Sequence, residues 1–159
     1  LKSGEIGEIC IKGDNVTTGN ENNQEANKIN FFNGWFKTGD EGYFDEEGYL
    51  KISGRLKEII NKGGEKISPL EIDNVLMYHP SVEQVVCFGF KDKMLGEDIA
   101  AAIVIEKGKS CSELDIKQYA QEKLAKFKIP KKIFFVNEIP KGSTGKLQRI
   151  GLAKKFGME

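Results

Sequence analysis

Three short stretches of this sequence carry more glycine and charge than folding requires. PKGSTGKLQR, residues 140–149, sets Lys146 behind a turn of Gly, Ser and Thr. GWFKTGD, 34–40, ends on the carboxylate Asp40. GRLKEIINKGGEKISPLEI, 54–72, holds Arg55, Lys57, the pair Gly63-Gly64 and Lys66. A lysine behind a flexible glycine turn, as in the last of these loops, first suggests a phosphate cradle. The last loop is not a self-contained P-loop. That motif needs G-x-x-x-x-G-K-[ST], whereas Gly142 and Gly145 stand two residues too close and Leu147 occupies the hydroxyl position. Read singly, Asp40 is equally a cap, Arg55 and Lys57 are solvated charges, and Gly63-Gly64 is a tight turn.

Other chemistries lack parts. There is one histidine, His79, in the helix-ending YHP, and three widely spaced cysteines, Cys10, Cys87 and Cys111, without a CxxC. Thiol–histidine catalysis, zinc and a disulfide framework are disfavoured, and no metal-ligand set is expected. Cys87, inside VVCFGF, reads as a small core residue. Lys+Arg and Asp+Glu balance at 24 each in 159 residues, which argues against nucleic acid or an anionic membrane as partner. The longest apolar runs, such as 99–105, are far short of a membrane span. The opening LKSGEIGEI lacks a methionine, so the chain is expected to be a piece of a longer protein.

The elements that must position these residues follow from periodicity. EIGEICIK, 5–12, alternates as a half-buried strand, and 13–34 reads as an irregular connection with a short helical piece. GYFDEEGYLKISG, 42–54, reads as a hairpin turning at Asp45–Gly48, followed by a strand at 58–61. Ser68-Pro69-Leu70-Glu71 is a capping-box signature with Pro at the first helical position, and Ile67 and Ile72 are spaced as a hydrophobic staple. Pro80 stops that helix. Strands follow at 83–90 and 99–106; Ser112 and Asp115 open a second helix; 133–137 is a further strand, and a last helix is expected from about 145. The expected class is α+β: a three-stranded sheet with helices plus a two-stranded hairpin over 57–159, preceded by a β-rich segment, 1–56, with too few apolar residues to bury a core alone.

In this order the stretches resemble the adenylate-forming enzymes: acyl-CoA synthetases, peptide-synthetase adenylation domains and firefly luciferase. GWFKTGD is similar to their (Y/W)-(F/R)-x-T-G-D, the 54–72 stretch to their G-R-x-x-(E/D)-x-I-(K/N)-x-x-G-x-(K/R) motif, LAKFKIP to a further short motif, and PKGSTGKLQR to P-K-T-x-S-G-K-(I/L)-x-R. The wording is nearest oxalate–CoA and 4-coumarate–CoA ligase-like enzymes. The resemblance implies that 1–56 is the trailing edge of a large AMP-binding domain and 57–159 its mobile lid. It implies a catalytic Lys146 beside carboxylate and α-phosphate, with Asp40 on the ribose hydroxyls and Arg55 beside the nucleotide. Lys57 would be the hinge, Gly63 and Gly64 would line the CoA path, and Lys66 would meet CoA. Thr144 and Gly142 depart from the usual Ser and Thr but keep the loop small. ATP and coenzyme A are implied, with Mg²⁺ held by residues outside this chain. The expected partners are the missing N-terminal domain and a small carboxylic acid. A carrier-protein-loading domain and a non-catalytic binding module are the alternatives. Placement is cytoplasmic by default; a peroxisomal one would lack the S-K-L ending.

Overall fold

A computed structural model describes residues 1–142 and 145–158. The chain divides into two compact units, Leu1–Lys57 and the part from Glu58 on.

The first unit is an antiparallel sheet built around one long strand. β1 (Gly7–Ile11), β2 (Phe31–Phe32) and β4 (Leu50–Arg55) all pair with β3 (Trp35–Phe44). A short helix, α1 (Gln24–Asn30), starts where the Asn23 side chain accepts from the Ala26 N–H at 3.1 Å. The expected hairpin forms. Asp45 Oδ1 accepts from the N–H groups of Glu47 and Tyr49, and Gly48 takes the left-handed φ of +84° that closes the turn. Every buried apolar side chain among the described residues lies at Ile60 or later. Phe44, Tyr49, Leu50 and Ile52 all stay exposed, which agrees with a segment too poor in apolar residues to close its own core.

The second unit has a five-stranded sheet. β7 (Val82–Asp92) and β8 (Gly96–Ile105) form its long central hairpin. The other edge of β8 pairs in parallel with β9 (Lys132–Phe135) and, at Gly96, with Lys62 of β5 (Ile60–Lys62). β6 (Glu65–Ile67) completes the order β6-β5-β8-β7. The expected three strands and separate two-stranded hairpin are therefore one continuous sheet. Its central strands read as unbroken apolar runs because both faces are covered. Val85, Cys87, Ile99, Ala101 and Ile103 face Ile72 and Leu76 of α2 (Pro69–Leu76) and Ile116 and Ala120 of α3 (Glu113–Gln121). The alternate residues Val86, Phe88, Ala100 and Ala102 face Ile139, Leu152 and Met158 of the C-terminal segment. There Phe156 stacks on Phe88 and Phe134, with ring centroids 5.6 and 4.4 Å apart.

Three local expectations change. The strand expected at 58–61 starts at Ile60, because Leu56–Glu58 winds into a 3₁₀ turn. Pro69 opens α2 as expected, but Ser68 makes no side-chain cap bond and the Glu71 carboxylate takes both its bonds, at 2.6 and 2.7 Å, from the Lys128 ammonium. A charged donor outcompetes a backbone N–H for that carboxylate. At α3 the box forms in full: Ser112 Oγ accepts from the Asp115 N–H and Asp115 Oδ2 from the Ser112 N–H. The last helix, α4, spans only Leu152–Lys155. The Gly142 N–H is tied to the Lys146 carbonyl, and Gly151, at φ +88°, starts the helix afresh.

The β7–β8 turn is held by Asp92. Its Oδ1 accepts from the Met94 and Leu95 N–H groups, and its Oδ2 binds the Lys131 ammonium at 2.6 Å. The Lys131 bond, then the two amides, lower its pKa from 3.8 to about 2. A carboxylate that is more acidic when folded stabilises the fold above its unfolded pKa and loses that contribution as pH falls toward the folded value. Asp92→Asn is therefore expected to melt with a weaker pH dependence between pH 4 and pH 2 than the parent, as thermal melts across that window would register. An unchanged slope would remove Asp92 from the acid response.

Candidate functional site

Asp40 and Arg55 are brought together by strand register. They sit opposite one another on β3 and β4, with a register shift between Glu41 and Gly42 beside them. Arg55 Nε lies 2.8 Å from Asp40 Oδ1. Thr38 prepares the carboxylate's backbone: its hydroxyl donates to the Ile9 carbonyl and accepts from the Asp40 N–H. Arg55 is largely exposed and Asp40 is a quarter exposed, so the pair screens easily and its guanidinium remains available to an anion. Lys57, at the end of this unit, is exposed in the 3₁₀ turn.

In the second unit Gly63 and Gly64 form the two-residue β5–β6 turn, with φ of +61° and +94°. Two successive left-handed residues are what a tight hairpin of this twist needs, and glycine adopts them without strain. The Gly64 N–H is held by Asn61 Oδ1 at 3.1 Å, and the Gly63 N–H by the Leu95 carbonyl at 2.8 Å. A Cβ on Gly64 would meet nothing within 4 Å, so its surroundings are open and its glycine requirement lies in its φ. Lys66 projects from β6 opposite Asn61 and is exposed. The hairpin is anchored by the Lys62–Asp98 ion pair, 2.6 Å long and almost sealed from solvent.

Lys146 stands on the return arm of a tight reversal. The Gly142 N–H donates to the Lys146 carbonyl, the Gly145 N–H to the Gly142 carbonyl and the Gln148 N–H to the Pro140 carbonyl. Lys141 and Leu147 bridge the arms, and Gly145 turns at φ +77°. Ser143 and Thr144 lie outside the described residues. The Lys146 side chain is exposed and makes no ion pair among the described residues.

The sequence reading missed Arg149. It is largely buried three residues beyond Lys146. Its Nε binds Glu58 Oε2 at 2.7 Å, its Nη2 binds Asp73 Oδ2 at 2.8 Å, and its Nη1 donates to the Cys87 carbonyl. Asp73 Oδ1 in turn accepts from the Cys87 N–H at 2.6 Å. Burial pushes the Asp73 carboxyl above its usual range, with Arg149 pulling the other way. One signal was legible: Asp73 follows Ile72 directly and precedes Leu76 by three, so a carboxylate sits on the apolar face of α2 and calls for a cation.

The remaining reactive groups are engaged or inert. His79 accepts the Ser81 N–H on Nδ1, packs edge-on against Tyr119 at 5.0 Å, and lies 3.9 Å from Cys111 Sγ. Burial raises the Cys111 thiol, with Asp115 adding to it, and burial followed by Asp73 drives Cys87 far up, so neither is a ready thiolate. Among the described residues no group of three or more His, Cys, Asp and Glu is placed to hold a metal, and no helix is long and apolar enough to cross a membrane.

Residues 71–146 match the AMP-binding enzyme C-terminal domain. An oxalate–CoA ligase of Arabidopsis thaliana is 52% identical over 150 residues, 94% of this chain and 29% of the relative. An o-succinylbenzoate CoA synthetase from Bacillus subtilis, solved with its acyl-adenylate intermediate, superposes with a TM-score of 0.90 at 40% identity, over 96% of this chain and 31% of that one. The same enzyme with ATP and magnesium ion gives a TM-score of 0.84 at 42% identity over 94% of this chain and 30% of that one. The chain spans under a third of the length of these proteins.

Proposed function

We propose a function from family membership, for this chain belongs to the AMP-binding, adenylate-forming enzymes and has the α+β fold of their C-terminal domain. It is the C-terminal part of an ATP-dependent acid–thiol ligase. In the first step a carboxylate oxygen attacks the α-phosphorus of ATP, giving an acyl-adenylate and pyrophosphate. In the second the thiol sulfur of coenzyme A attacks the acyl carbon, the thiol proton is lost, and AMP departs. The observation that carries this reading is similarity to a CoA ligase along 94% of the chain, through all the cation- and glycine-bearing stretches.

The residues present fit such substrates. Lys146 is an exposed ammonium on a long stem, without an ion-pair partner among the described residues, suited to phosphoryl and carboxylate oxygens on which negative charge accumulates during adenylation. Asp40 accepts from the ribose hydroxyls, with Arg55 holding the carboxylate and presenting its remaining donors to the nucleotide. Lys57 is the pivot about which the second unit moves between the two steps. Gly63, Gly64 and Lys66 border the path of coenzyme A, where an open glycine turn admits a narrow chain. Mg²⁺ would arrive with ATP and be held by residues outside this chain. The exposed Phe44, Tyr49, Leu50 and Ile52 of the first unit belong under the large domain that precedes it in the full-length protein.

The test is acid-dependent ATP–pyrophosphate exchange by the full-length protein, across a panel of small carboxylic acids that includes oxalate. Exchange without coenzyme A, and thioester formation once it is added, is the expected result. The isolated 159-residue chain is expected to release no pyrophosphate, since it carries no second phosphate-binding loop. Turnover by the isolated chain, or a full-length protein inert toward every acid, would overturn the reading.

A further inference from the structure

Lys146 must be delivered to its substrate by a part of the chain stiff enough to hold its tip in place. The backbone bonds that tie Gly142 to Lys146 and Pro140 to Gln148 do not set where Lys146 sits on the fold. The seat is Arg149. Three directions of its guanidinium are used at once: Nη2 to Asp73 on α2, Nη1 to the Cys87 carbonyl on β7, and Nε to Glu58. The first two tie the arginine to α2 and β7. The third reaches the residue immediately after Lys57, the pivot, across 91 positions of sequence. Both ends of that bond are shielded, with Arg149 13% and Glu58 20% exposed, so it is a geometric constraint of a kind a surface ion pair does not supply.

We propose that Glu58 and Arg149 form a strut that carries the motion of the pivot to the root of the Lys146 loop, and so act as positioning residues for adenylation. This rests on the reading of Lys146 as the adenylation cation. The strut works through Lys146 and touches no substrate. Arg149 spans three partners because only a planar fork of five donors can fix a loop root in three directions at once. A lysine there would hold one partner and let the loop rock. Displacing a catalytic group by an ångström costs on the order of a hundredfold in rate.

Removing Arg149 strips a partner from buried Asp73 and threatens the fold, so the decisive variants are at Glu58. In the full-length enzyme, Glu58→Ala is expected to slow the single-turnover burst of pyrophosphate by about ten- to a hundredfold. It should leave the KM for ATP and the conversion of supplied acyl-adenylate to thioester unchanged. Glu58→Gln keeps a neutral oxygen for Arg149 Nε and should recover most of the rate. In a Lys146→Ala background, Glu58→Ala should cause no further loss, because the strut has nothing left to position. A purely structural role would lower both half-reactions and melting temperature together and would add fully to Lys146→Ala. Either of those results overturns the strut, as does a Glu58→Ala enzyme of normal rate while Lys146→Ala is impaired. If Lys146→Ala is itself harmless, the reading of Lys146 fails first and the strut with it.

Discussion

Lys146→Ala in the full-length enzyme is expected to slow adenylation by about a hundred- to a thousandfold or more, the range for losing one preorganised donor to a developing anion. Thioester formation from a supplied acyl-adenylate should be much less affected. The asymmetry follows from where charge appears. Adenylation builds negative charge on phosphoryl oxygens, whereas thiol attack on an adenylate leaves AMP with its phosphate already formed. The structure makes the experiment clean. The Lys146 side chain is exposed and bonded to no other described side chain, so its removal strands no buried group. Its loop is closed by backbone bonds that alanine keeps. The melting temperature should stay where it is, and the loss should be kinetic alone. Lys146→Arg keeps the charge but spreads it over a planar fork, and should restore only part of the rate. Rapid-quench measurement of both half-reactions decides the matter; equal damage to the two would refute the division of labour.

What was legible in the sequence was what local chemistry encodes. The β7 and β8 runs stand out because strands covered on both faces lose their polar alternation. Gly48 and Gly63-Gly64 announce their turns because few other residues take left-handed φ. Lys146 was conspicuous because a long cation behind small residues has no packing purpose. Asp40 and Arg55 were each visible, yet their pairing was not, since it depends on a hairpin register and on a shift between Glu41 and Gly42. The Glu71 cap failed for a similar reason: its real partner, Lys128, lies 57 residues on. Of the Arg149 network only Asp73 was legible, a carboxylate on the apolar face of α2 that calls for a cation without naming it. The network's bonds join residues separated by 62, 76 and 91 positions, and no local pattern records such a closure.

Arg149→Ala should produce the largest loss of stability, about 3–5 kcal/mol for the second unit, the range for stripping one partner from a buried ion pair. Asp73 is 7% exposed and keeps only the Cys87 N–H, and the Cys87 carbonyl loses its guanidinium donor. The cost should depend on pH in a definite direction. Burial already raises the Asp73 pKa in the presence of Arg149, so removing that cation raises it further. A carboxyl that is less acidic when folded penalises the fold above its folded pKa and stops doing so once protonated. The variant should therefore be less impaired at pH 5 than at pH 8. Pairing it with Asp73→Asn, which retains an oxygen for the Cys87 N–H, should return much of the stability and abolish the added pH dependence. Amide exchange of β7 and β8 in the full-length enzyme reads this unit separately from the rest. Wild-type protection in Arg149→Ala at pH 8 would mean that water, rather than the guanidinium, satisfies Asp73, and that the second unit does not depend on this closure.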